Sequence, residues 1–204
     1  MPQGVATVVF DLGGVLVDWN PRYLYRRLFP GDEPALERFV ALIMEGGWML
    51  SMDAGVPMAE AVERLAALHP EHAAPVRAYL TRWREMYNGA FPETVALLER
   101  LHAQGVPLYA LTNWSAETFP AMRPHYPFLE RFRGIVVSGE EGLVKPDPRL
   151  YRVLLERHGL DARRTLFIDD SPANVAAAAA LGFVTHHHRS AEALAARLAG
   201  LGLL

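Results

Sequence analysis

The apolar positions fall into three regimes along the chain. Val5, Val8, Val9 and Phe10 are β-branched or aromatic and lack the alternation of a half-exposed strand, which predicts a central strand covered on both faces. Beyond it the period becomes helical. Asn20 and Pro21 read as an N-cap with proline at the first helical position, continued by Tyr23, Leu24, Arg27 and Leu28. Asp32 and Pro34 repeat the start signal, and Leu36, Phe39, Val40 and Ile43 follow at i, i+3, i+4 and i+7 until Gly46 and Gly47 stop the helix. A third stripe runs through Met58, Ala61, Val62, Leu65 and Leu68 in residues 57–69, and Val76, Leu80, Trp83 and Tyr87 mark a fourth. Four helices with no strand between them predict a separate packing unit over residues 17–91.

From Phe91 onward helix and strand alternate. Strands are predicted at 106–112, 134–138, 165–169 and 183–187, with helices beginning near Pro92, Ser115, Asp147, Ser171 and Ser190. Residues 1–16 and 92–204 thus read as one α/β core, interrupted by a helical cap at 17–91. In a parallel sheet with right-handed crossovers, the loops leaving the strands share one edge. Four places at that edge carry polar or charged groups: Asp11, Thr112 with Asn113, Lys145, and Asp169 with Asp170. Gly13 and Gly14, just after Asp11, let the backbone turn sharply and approach a ligand.

Composition narrows the chemistry. A chain of 204 residues suits one α/β domain or a domain with a modest insertion. Charged residues make up 21% with a formal net charge of -3, and Lys and Arg are dispersed, so neither nucleic acid nor an anionic membrane is expected as a partner. The absence of Cys excludes disulfides, thiolate metal sites and a cysteine nucleophile. With no signal-like N-terminus and no apolar run of membrane-spanning length, the expectation is a soluble cytoplasmic protein, a monomer or homodimer. His186, His187 and His188 follow an apolar strand and read as its end rather than as a metal tract.

Asp-Leu-Gly-Gly-Val, Leu-Thr-Asn, Lys-Pro-Asp-Pro and Phe-Ile-Asp-Asp-Ser, in that order, resemble the four motifs of the haloacid dehalogenase-like hydrolases, and the likeness covers nearly the whole chain. Within subfamily IA it looks most like the branch that includes α-D-glucose-1-phosphate phosphatase, which also has glycine two residues after the nucleophile. The resemblance implies a Rossmann-like parallel sheet in strand order 3-2-1-4-5 with the helical cap closing over its carboxyl edge. It implies Asp11 as a nucleophile forming an aspartyl-phosphate. Mg²⁺ would be held by Asp11, the backbone oxygen of Gly13 and Asp170, with Asp169 supporting it through water. Thr112 and Asn113 would bind phosphate, Lys145 would balance the negative charge, and Asn174 would orient Asp170 or Lys145.

Many phosphatases of the family carry a second Asp where this chain has Gly13, so its proton donor must come from Asp18, a cap residue or solvent. Of the aromatic and Met residues in the helical unit, Trp48, Met49, Met52, Trp83 and Met86 read mainly as core, with Trp48 and Met52 as candidates to face the substrate. The leading reading is an Mg²⁺-dependent phosphatase of a small phosphorylated metabolite, such as a sugar phosphate. A metal-independent 2-haloacid dehalogenase is the first alternative, disfavoured by the paired acids, and a weakly catalytic metabolite-binding protein is the second.

Overall fold

The computed structural model describes residues 4–204. The first strand, β1 (Thr7–Phe10), lies at the centre of a five-stranded parallel sheet. Its neighbours are β4 (Leu108–Thr112) on one side and β6 (Thr165–Asp169) on the other, with β5 (Gly134–Val137) and β7 (Val184–His187) outermost. Counting only the strands of this sheet, the order is 3-2-1-4-5, as expected. Val8 and Phe10 enter one hydrophobic cluster and Val9 the other, so the strand is buried on both faces. That double burial is why its sequence shows no alternation.

Between β1 and β4 the chain makes α1 (Arg22–Tyr25), α2 (Glu33–Glu45), α3 (Trp48–Asp53), α4 (Met58–Leu68) and α5 (Ala73–Arg82), then α6 (Pro92–Ala103) back on the sheet. Asp32 caps α2 by accepting from the Ala35 amide at 3.0 Å. Two features of this region depart from the sequence reading. Residues 17–91 are not wholly helical: β2 (Val17–Trp19) and β3 (Tyr87–Ala90) pair antiparallel where the chain leaves and re-enters the sheet layer. Three and four residues are too few for a strand period to show. The stretch after Gly47, to which the sequence assigned no element, is helical, because Gly47 takes the left-handed conformation at φ 72° and opens α3 directly.

The remaining helices are α7 (Phe119–Met122), α8 (Ser138–Glu141), α9 (Pro148–His158), α10 (Pro172–Ala180) and α11 (Ala191–Gly200). Asp147, Ser171 and Ser190 cap α9, α10 and α11 with their side chains. The helix expected near Ser115 is only one turn, α7, followed by short 3₁₀ turns whose prolines prevent a longer run. No helix among the described residues is long and apolar enough to cross a membrane.

Candidate active site

Asp11 stands one residue beyond β1, its amide still bonded to the Ile168 carbonyl at 2.8 Å. Its Oδ1 accepts from the Leu12 amide at 2.7 Å, which turns Oδ2 toward the ammonium of Lys145, 2.8 Å away. Gly14, at φ 73°, completes the turn, and a Cβ there would overlap the carboxylate of Asp170. The glycine therefore serves two ends, a backbone conformation and the close approach of the first and last acidic segments. Gly13 differs: its φ is not positive and no atom lies within 4 Å of where its Cβ would be.

β6 delivers Asp169 fully buried, and every oxygen of its carboxylate is occupied. Oδ2 accepts from Lys145 Nζ at 2.7 Å, Oδ1 from the Ser171 amide at 2.8 Å, and Asn174 Nδ2 lies 3.0 and 3.1 Å from the two. Asn174 thus orients Asp169, not Asp170 or Lys145 as expected, because its place in the first turn of α10 aims it back at the strand end. Asp170 is exposed, and its carboxylate accepts no side-chain hydrogen bond among the described residues. Carboxylate oxygens of Asp11, Asp169 and Asp170 come within 4.8 Å of one another.

Lys145 is 2% exposed and bridges Asp11 and Asp169. Burial works against its charge, but the two carboxylates outweigh burial and hold its pKa above that of an ordinary lysine. Burial likewise pushes the Asp11 carboxyl well up, with Asp169 and Asp170 adding repulsion against the pull of Lys145. Partial desolvation of its carboxyl, then its neighbour Asp169, raises Asp170. Three carboxylates beside a single ammonium make a site of surplus negative charge. Asp169 has no lone pair to spare, whereas Asp11 and Asp170 do. Hard oxygen donors with uncompensated charge fit a divalent cation such as Mg²⁺, and Asp11 and Asp170 are the carboxylates with lone pairs that could hold one.

Asn113 lines the cleft, but its amide is spent on Lys145: Oδ1 accepts from the lysine amide at 2.8 Å and Nδ2 donates to the lysine carbonyl at 3.0 Å. It fixes the loop that carries the ammonium. Thr112, the last residue of β4, is 1% exposed and is not among the residues lining the cleft. Trp48 also lies away from the cleft. Its indole donates to the Ala61 carbonyl at 2.8 Å and its ring meets Tyr79 edge-on at 5.2 Å. Helical phase explains the correction, since Trp48 and Met52 share the buried face of α3 while Met49 and Asp53, each one residue further on, share the face that lines the cleft.

The cleft holds about 500 Å³. Besides the acids, it is lined by Trp19, Met44, Met49, Leu50, Tyr87 and Trp114, with the Tyr87 and Trp114 rings stacked 5.3 Å apart. Asp53 and these aromatic residues escaped the sequence reading. None belongs to a motif, and the helical phase of α3 was the one signal available for Asp53. His187 contacts the Asp170 carbonyl at 2.9 Å, whereas His186 turns a buried Nε2 toward no partner.

The model of the haloacid dehalogenase-like hydrolases matches residues 5–182. A phosphoglycolate phosphatase of Yersinia pestis is 30% identical over 214 residues, covering 95% of this chain and 86% of its own. A sesquiterpene phosphatase of Aspergillus oryzae is 29% identical over 181 residues, 88% of this chain and 87% of that one. Among solved structures, a family enzyme of Bacteroides thetaiotaomicron in complex with magnesium and inorganic phosphate superposes with a TM-score of 0.68 at 22% identity, over 91% of this chain and 95% of its own.

Proposed function

The chain belongs to the haloacid dehalogenase-like hydrolases, and on that premise we propose that it is an Mg²⁺-dependent phosphatase that cleaves a small phosphorylated metabolite through an aspartyl-phosphate on Asp11. The observation that carries this reading is the pairing of Asp11 with Asp170 in a pocket of excess negative charge, beside the buried Lys145. Phosphatases among the relatives, and magnesium with phosphate in a neighbour of the same fold, support it.

Asp11, Asp170 and the Gly13 carbonyl would hold the cation, whose presence would supply charge neutralisation and Lewis-acid polarisation of the phosphoryl group. Asp11 presents Oδ2 to phosphorus while the Leu12 amide holds its other oxygen, which limits rotation of the nucleophile. Lys145 offsets charge on the carboxylate and on the transferring phosphoryl oxygens, in a site where burial strengthens that interaction. Asn113 and Asn174 position this pair, one through the lysine backbone and the other through Asp169. The insertion between β1 and α6 acts as a cap that excludes water from the cleft and, with Trp114 of the core, supplies the walls for the substrate's organic part.

Those walls are largely apolar and flat. Of the polar groups there, Arg22 is paired with Glu37 and the Asn20 side-chain oxygen accepts from the Arg22 amide, which leaves few partners for hydroxyls. A phosphate ester with an apolar or aromatic body fits best. A sugar phosphate is the second reading, favoured by the stacked Tyr87 and Trp114, a platform on which sugar rings also lie.

A panel of aryl, prenyl and sugar phosphates, assayed with Mg²⁺ and with excess chelator, tests the reading. Phosphate release should vanish on chelation and return with Mg²⁺, and apolar esters should show the lower KM. Turnover that survives chelation, or halide release from 2-haloacids without phosphate release, would reject it.

A further inference from the structure

The core edge has no group free to hand a proton to a departing alcohol. Asp11 is the proposed nucleophile, Lys145 is clamped between two carboxylates, Asp169 is saturated with donors, and residue 13 has no side chain. Asp18, a nearby acid in sequence, is held by the Tyr23 hydroxyl at 3.0 Å and by Asn88 at 2.9 Å, and it is not among the residues lining the cleft. Apart from Asp11 and Asp170, the carboxyl facing the cleft is that of Asp53, the last residue of α3.

We propose that Asp53, brought into the cleft by the helical insertion, is the general acid and base of this enzyme. The inference rests on the phosphatase reading given above and supplies the group that Gly13 lacks. Asp53 is firmly placed: its carbonyl accepts from Ser138 Oγ at 2.6 Å, and the same Oγ accepts from the Trp114 amide at 2.9 Å, which ties the end of α3 to the loop after β4. The helical phase that buries Trp48 and Met52 places Asp53, with Met49, on the face that lines the same cleft as Asp11 and Asp170.

Its surroundings suit a group that both gives and takes a proton. The groups acting on its carboxyl are Lys145 from the core, Tyr79 of α5, Tyr87 of β3 and the backbone amide of Ser115. Of these only Lys145 is charged near neutral pH, and its hydrogen bonds go to Asp11 and Asp169. Desolvation pushes the carboxyl up to about 7, against the pull of Lys145 and the Ser115 amide, so both protonation states are populated near neutrality.

In the first step an Asp11 oxygen bonds to phosphorus, the ester P–O bond breaks, and the leaving oxygen takes the Asp53 proton to depart as an alcohol. In the second, Asp53 takes a proton from water as its oxygen bonds to phosphorus. The bond between phosphorus and the Asp11 oxygen then breaks, releasing phosphate with Asp11 ionised and Asp53 protonated as at the start.

The test is Asp53→Asn in the full chain with Mg²⁺, comparing kcat/KM for matched alkyl and aryl phosphates. An alkoxide needs the proton and an activated aryloxide does not, so a loss of about 10²-fold or more is expected on the alkyl ester and under about 10-fold on the aryl ester. The fall of the wild-type alkyl rate as pH rises through about 7 should disappear in the variant. Equal losses on both esters, or an unchanged alkyl rate, would overturn the assignment. Should the variant fail to fold, the wild type decides: a rate falling steeply as leaving-group pKa rises, when chemistry limits, shows that no acid is in place and also overturns it. A wild type inactive on every phosphate ester would instead reject the phosphatase reading itself.

Discussion

At the carboxyl edge of the sheet, Asp11 and Asp169 are answered by the Lys145 ammonium within hydrogen-bond distance; on the insertion side of the same cleft, the Asp53 carboxyl has a backbone amide, the uncharged Tyr79 and Tyr87, and the more distant pull of Lys145. Acids of one residue type thus behave differently. Asp169 is held in place by donors on both oxygens, Asp11 is aimed by an amide and an ammonium, and Asp53 is left able to titrate near neutral pH. What separates them is the set of donors that each element brings to the acid, since desolvation acts on Asp11 and Asp53 alike.

The largest effect that would break this contrast lies at the nucleophile. Asp11→Asn should retain the fold yet lose at least about 10⁴-fold in turnover, since an amide cannot attack phosphorus. Steady-state kinetics beside circular dichroism would check it, and substantial turnover would place the nucleophile elsewhere. Lys145→Ala attacks the answering charge. It leaves two buried carboxylates facing each other, so a stability loss of about 4 kcal/mol is expected together with about a 10³-fold fall in kcat/KM. Mg²⁺ should recover more of the melting temperature in this variant than in the wild type; equal recovery would argue against a shared electrostatic role.

Trp48→Ala sharpens the contrast between the two faces of α3. It should cost about 3 kcal/mol through lost packing and a lost hydrogen bond while leaving KM within about threefold. Met49→Ala, on the neighbouring cleft-lining face, should raise KM with little change in stability. A KM effect for Trp48 matching that of Met49 would contradict the assigned helical phase.

The smallest effect concerns His186, where burial, reinforced by His188, Arg197 and His187, pushes the imidazole down to about 4. The unfolded chain protonates near 6.5 and the folded one only near 4, so the stability tied to this histidine is complete above pH 6.5 and is lost as pH falls toward 4. Allowing for partial exposure, the loss is about 2 kcal/mol. Denaturant melts of His186→Val at pH 7 and pH 4.5 should show a shallower pH dependence than the wild type; parallel dependences would remove His186 from the account.

Much of the core was legible along the chain. Strands buried on both faces announce themselves by unbroken β-branched runs, and in a parallel sheet their loops must meet at one edge, so Asp11, Lys145, Asp169 and Asp170 converge whatever happens between them. What the sequence by itself determined was therefore the sheet and the acids at its edge, since both follow from local patterning and a topological rule. Tertiary structure decided the rest. Whether Asn113 serves the phosphate or Lys145, whether Asn174 holds Asp169 or Asp170, and which face of α3 meets the cleft depend on partners up to dozens of residues away and on a helix whose start is hidden behind a glycine pair. A one-residue change of phase, about 100° of rotation, exchanges Trp48 for Met49 and brings Asp53 into the cleft; the packing of α3 against α2, α4 and α8, with Ser138 holding its last carbonyl, selects that phase.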